Sequence, residues 1–141
     1  MIRVVLDTNI IVSALLQPLG PPAQVFFLAI NCSIQLCISG NVYAEYEEVI
    51  RRPRLRRDEN VITSTLLTIR EKAVWVRPTE SIRVCTDPDD DIFLECAQAA
   101  RATYLVTGNI KDFPVSWLDT RIVTARFLLE IMSGETVEPP A

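Results

Sequence analysis

Apolar positions along the chain fall into short runs separated by longer stretches of helical period. The first run, Ile2, Val4, Val5 and Leu6, is nearly unbroken, the pattern of a central strand in a parallel sheet covered on both faces. Ile34 to Ile38, Ala73 to Val76, Tyr104 to Thr107 and Arg121 to Thr124 read as further strands. Between them the pattern predicts helices over Ile10 to Leu16, Ala23 to Asn31, Gly40 to Arg52 and Asp58 to Glu71. Another starts around Asp87-Pro88 and a last one runs from Ala125 to Met132. The Gln17-Pro18-Leu19-Gly20-Pro21-Pro22 break parts the first two helices, and Thr79 to Thr86 is a connector anchored by Ile82 and Val84. This alternation predicts an α/β fold, a parallel sheet sandwiched between helix layers. Residues 1–132 form one domain with no repeat or linker, and Ser133 to Ala141 is a frayed tail.

Acidic residues interrupt this pattern in three places. Asp7, with Thr8 and Asn9, follows the first strand, and in open α/β sheets ligands bind beyond the carboxyl ends of the strands. Asp7 and Asn9 are equally ordinary helix starters, so the stretch alone supports both readings. Glu45 falls inside the apolar stripe of Val42, Tyr46, Val49 and Ile50, where a carboxylate is costly unless satisfied, and no Lys lies within a turn of it. It is either a site acid or a stripe-edge acid reaching water. Asp87-Pro88-Asp89-Asp90-Asp91 opens a helix. Asp87 suits the cap, Pro88 the first helical position, and the remaining acids the positive end of the helix dipole. A metal site on a helix start has the same appearance. Spacing from Phe93 and Ala97 sets Asp89 and Asp90 near the buried face and turns Asp91 further away.

Composition narrows the chemistry. The 141 residues are 49% apolar and 23% charged, ordinary for one globular domain. No apolar run reaches the length of a membrane helix and no signal peptide is visible, so a cytoplasmic protein without membrane contact is expected. Histidine is absent, which removes His-based nucleophilic catalysis and the usual zinc and iron sites. The four cysteines show no C-x-x-C pairing and are expected to be buried, reduced thiols. The formal charge is -4, which does not advertise a nucleic-acid binder. Five arginines crowd residues 51–57, either solvated at a helix end or available to a phosphate backbone or acidic partner.

Carboxylates gathered in one crevice repel one another unless a cation sits between them. Hard oxygen donors select magnesium or manganese, and such sites excel at phosphodiester hydrolysis. The ordered set Val5-Leu6-Asp7-Thr8-Asn9, Ser39 with Glu45 six residues on, Asp87-Pro88-Asp89-Asp90 and Val106-Thr107-Gly108 resembles a PIN domain. The pattern extends to about Leu129 and is most similar to the small prokaryotic VapC-type toxins of toxin–antitoxin pairs. The resemblance implies a three-layer α/β/α sandwich with a parallel sheet of four or five strands, and an Mg²⁺- or Mn²⁺-dependent endoribonuclease. It implies Asp7, Glu45 and Asp90 as metal ligands and Thr107 as the hydroxyl at the site. It further implies an RNA substrate, a small antitoxin partner and a homodimer.

One position departs from the family's commonest pattern: Asn109 stands where many members carry an Asp after Thr-Gly. An amide offers an oxygen but no charge, so catalytic strength is in question and Asp112 is a candidate substitute. The alternative is a PIN-like module that binds RNA or a protein without cutting. A phosphoacceptor receiver domain is disfavoured, because Ser39, Gly40 and Arg77 stand where its acids belong.

Overall fold

β1 (Arg3–Leu6) carries Val4, Val5 and Leu6, all fully buried, and the sheet is built outward from it. The computed structural model describes residues 1–134; most of the tail expected from Ser133 onwards lies outside the described residues. β2 (Gln35–Ile38) and β3 (Val74–Trp75) extend the sheet on one side, β4 (Tyr104–Val106) and β6 (Thr120–Val123) on the other. The order is β3-β2-β1-β4-β6-β5. All pairings are parallel except that of β5 (Ser116–Trp117), which turns back antiparallel along β6. Among the described residues the sheet therefore has six strands, where four or five were expected. The added strand is a two-residue piece, too short to show any period, and its turn uses Leu118 at φ 51°.

The helices are α1 (Thr8–Leu16), α2 (Pro21–Ile30), α3 (Gly40–Ile50), α4 (Glu59–Lys72), α5 (Asp91–Ala100) and α6 (Ala125–Met132). Their starts follow local chemistry. Pro21 takes the first position of α2, where its missing N–H costs nothing. Ser39, Asp58 and Thr124 accept amide hydrogens at the starts of α3, α4 and α6. α1 packs against α2 and α3, α2 also meets α4 and α6, and α5 lies along β1, β2 and β4. The core joins Leu6, Ile11, Ile38, Tyr46, Phe93, Leu105 and Leu128; each such side chain contributes about 1.5–3 kcal/mol on burial, an upper bound. No single helix among the described residues is long and apolar enough to cross a membrane.

Because the strands run the same way, their carboxyl ends share one rim. The chain leaves β1 towards β2 and later returns to β4 on the opposite side, so the crevice between β1 and β4 is the switch point where such sheets bind ligands. Asp7 and Thr107 both lie there, the Asp7 amide donating to the Val106 carbonyl at 2.9 Å.

Two expectations are corrected. Cys32 is exposed, at φ 63° in the turn after α2, because a tight turn carries it outside the sheet; Cys37 and Cys96 are buried and Cys85 half-buried. Asp91, expected to face away, is buried. A 3₁₀ turn over Pro88–Asp90 precedes α5, and its tighter winding shifts the phase extrapolated from an α-helix.

Candidate active site

Asp7 ends β1 in extended backbone at the start of α1, yet its side chain caps no helix amide. Its Oδ2 instead accepts hydrogen bonds from the Thr107 hydroxyl at 2.7 Å and from Asn9 Nδ2 at 3.2 Å. The Asn109 amide donates to Thr107 Oγ1 at 3.0 Å, and the Gly108 amide to Asn9 Oδ1 at 3.2 Å. The β1 and β4 ends are thus laced together by side chains. Asp7 is 7% exposed. Burial raises its pKa, the Thr107 hydrogen bond lowers it in part, and Glu45 and Asp112 push it up again.

Glu45 is half-buried on α3 and its Oε2 accepts the Thr8 hydroxyl. The group that satisfies this misplaced acid is therefore a hydroxyl from the neighbouring helix, in the first turn after Asp7. One residue on, the buried Tyr46 donates its hydroxyl to the Leu6 carbonyl, tying α3 to the last residue of β1. Tyr46 reads in sequence as plain core; its polar end braces the site, and a hydroxyl next to a stripe acid is the only hint of that.

The two adjacent acids at the start of α5 have different jobs. Asp91 Oδ1 accepts the amides of Val84 and Cys85 at 3.1 and 2.8 Å. Burial raises its pKa, but the hydrogen bonds from Cys85 and Val84, with the charge of Arg83, bring the pKa below the usual value. Asp91 thus fastens the connector onto α5. Asp90 is half-buried, and among the described residues its side chain caps no helix amide. Burial, then the charges of Asp7, Asp87, Asp112 and Glu45, push its pKa up to about 7. Asp87 caps the 3₁₀ turn by accepting the Asp89 amide at 2.9 Å, and Asp89 is exposed.

Asp7 and Asp90 therefore each lie within the fields of Glu45 and Asp112, although these residues come from four separate parts of the chain. Asp112 sits in a short 3₁₀ turn over Ile110–Asp112 and is exposed at the mouth. Asn109 is exposed too, and its backbone, more than its amide side chain, is tied into the cluster. The described residues include no three Asp, Glu or Cys side chains already closed to ligand distance. The donor set nevertheless fits a hard divalent cation: oxygen only and mutually repelling, with Asp90 pushed by acidic neighbours. The arginine cluster stands elsewhere, beyond the far end of α3. Arg52 pairs with Glu48 at 2.9 Å and Arg51 with Glu59, so two of its members are already engaged on the surface.

With this geometry in place, likenesses to known proteins are informative. The PIN domain family pattern matches residues 3–111. MJ1680, an uncharacterized protein of Methanocaldococcus jannaschii, is 32% identical over 111 residues, which are 77% of this chain and 71% of that protein. In fold, the chain is similar to one in the crystal structure of VapBC2 from Rickettsia felis bound to a DNA fragment from their promoter. That match has a TM-score of 0.56 at 19% identity and covers 87% of this chain and 98% of the other.

Proposed function

This chain belongs to the PIN domain family, whose members are generally nucleases, and from that membership we propose that it is an Mg²⁺- or Mn²⁺-dependent endoribonuclease. The observation that carries the proposal is the gathering of acids around Asp90: a half-buried carboxyl pushed up to about 7 by burial and by the charges of Asp7, Asp87, Asp112 and Glu45 is the repulsion that a cation relieves.

In this reading Asp7, Glu45 and Asp90 hold the ion. The bound cation supplies charge neutralisation at the phosphate and a water more easily deprotonated. Thr107 fixes the rotamer of Asp7 and keeps its pKa from climbing further. Thr8 holds Glu45, while Tyr46 prevents the end of β1 from shifting. Asp112 and Asn109, at the mouth, orient water and compensate in part for the acid that many relatives carry at position 109.

The biological setting we propose is the toxin of a type II toxin–antitoxin pair, acting on RNA in the cytoplasm, homodimeric, and held in check by a small antitoxin. The likeness in fold to a chain of VapBC2 supports it. So do the uncovered apolar side chains Leu16, Leu19 and Phe27 along the α1–α2 pair, a surface of the kind a protein partner covers.

The test is cleavage of single-stranded and structured RNA by purified protein with Mg²⁺ or Mn²⁺. The wild type is expected to cut and Asp7→Asn to be inert; equal cutting by both would assign the activity to a contaminant. The exposed Asn109 favours one competitor, a PIN module that binds without cutting. Calorimetry separates the two, since metal binding coupled to turnover excludes the competitor.

A further inference from the structure

We propose that the rim pocket beside the acids binds a guanine base of the RNA next to the cleaved phosphate. The inference rests on the RNA-directed reading above and adds a base-recognising site to it.

The pocket has a volume of about 540 Å³ and lies where the β2 and β3 ends meet the start of α3 and the side of α5, a size suited to a nucleoside-sized ligand. Its position follows from register. β1 pairs Val4 with Leu36, and β2 pairs Ile38 with Trp75. Continuing both ladders sets Asp7 beside Ser39 and Ser39 beside Val76, whose amide donates to the Ile38 carbonyl at 2.8 Å. Strands lie about 4.8 Å apart, so the pocket opens one to two strands, roughly 5–10 Å, from Asp7 along the same rim. An RNA strand with a phosphate at the acids has its neighbouring nucleotide within reach of this opening.

The walls decide which part of the nucleotide enters. Ser39, Asn41 and Thr79 line the pocket with Arg77, Glu80 and Glu95. One cation against two carboxylates disfavours a phosphate. Arg77 is in no ion pair among the described residues, so its donors are free. Glu95 Oε2 already accepts the Ile82 amide at 3.0 Å, which fixes the carboxylate while Oε1 remains available. A fork of donors and an anchored carboxylate lining one pocket match guanine. That base offers O6 and N7 to an Arg, while its N1–H and N2–H suit a carboxylate acceptor. The alternatives match less well: adenine and cytosine each offer an amino donor but lack guanine's adjacent pair of N–H donors.

The test uses the full chain carrying Asp7→Asn, so that no cleavage occurs, and fluorescein-labelled oligouridine hexamers with one central guanosine, adenosine or no purine. Anisotropy in Mn²⁺ is expected to show at least about fivefold tighter binding of the guanosine hexamer. Arg77→Ala and Glu95→Gln should each remove that preference; the Gln retains an oxygen for the Ile82 amide, so the connector stays in place. Wild type should cut next to guanosine, and Arg77→Ala should lose that choice of position. Equal affinity for the three hexamers, a preference surviving both substitutions, or guanosine monophosphate binding as tightly as the hexamer would overturn the inference. Cutting by wild type without guanine preference sinks this site and leaves the nuclease standing. Selective binding without cutting by wild type sinks the nuclease instead.

Discussion

Thr107 Oγ1 donates to Asp7 Oδ2 at 2.7 Å, joining side chains 100 positions apart at the point where β1 and β4 run side by side. The bond stabilises the ionised carboxylate against the burial and neighbouring charges that raise its pKa. Thr107→Val keeps the shape and removes the donor, so the Asp7 pKa rises. The acid limb of the pH–rate profile is expected to move to higher pH, with kcat/KM near neutrality falling roughly tenfold, about 1.4 kcal/mol. A full pH profile of both proteins checks it; an unmoved limb would detach Thr107 from the proton chemistry of Asp7.

Asp90 supplies a pH signature of folding. Its folded pKa, about 7, lies above the ordinary 3.8, so the folded chain binds the proton more tightly than the unfolded one. The group's contribution to stability is fully present below 3.8 and is lost as pH rises through about 7. Asp7, also raised, acts in the same sense. Metal-free protein should therefore lose Tm from mildly acid to mildly alkaline solution, and Mn²⁺ should restore it most on the alkaline side. Asp90→Asn is expected to flatten this dependence and raise the metal-free Tm while abolishing turnover. Scanning calorimetry at several pH values, with and without Mn²⁺, makes the measurement.

Asp91→Ala should do the reverse of Asp90→Asn. It strands the Val84 and Cys85 amides, at a cost of roughly 2 kcal/mol or more, while the folded fraction keeps its metal affinity. Chemical denaturation set beside metal titration distinguishes the two neighbours; loss of metal binding without loss of stability would reverse the assignment.

Tyr46→Phe deletes the hydroxyl that donates to the buried Leu6 carbonyl. Loss of about 1–3 kcal/mol is expected for the orphaned acceptor, read as a shift in urea midpoint at unchanged m-value. Turnover should fall as well, because the freed end of β1 carries Asp7.

Much of this was legible in the chain. β1, β2, β4 and β6 announce themselves through short apolar runs because they are largely buried. Asp7 and Glu45 stand out by where they fall in the pattern, whereas Asp90 sits in an ordinary acidic helix start and is singled out only by the family resemblance. What escaped has physical reasons. β5 is two residues long and has no period. The opposite fates of Asp90 and Asp91 depend on a 3₁₀ turn, which alters the angle between successive side chains by about 20° per residue. The Thr8–Glu45 and Tyr46–Leu6 bonds join parts of the chain far apart in sequence. The pocket at Arg77 and Glu95 likewise exists only once the connector has crossed the sheet.

The central place of β1 between β2 and β4 also sets a timetable. The Asp7 amide finds its hydrogen-bonding partner, the Val106 carbonyl, only on a strand that lies about a hundred positions further along the chain. The Asp7 and Thr107 side chains therefore meet only after β4 has been made and has docked beside β1, so the proposed nuclease centre is assembled late in folding.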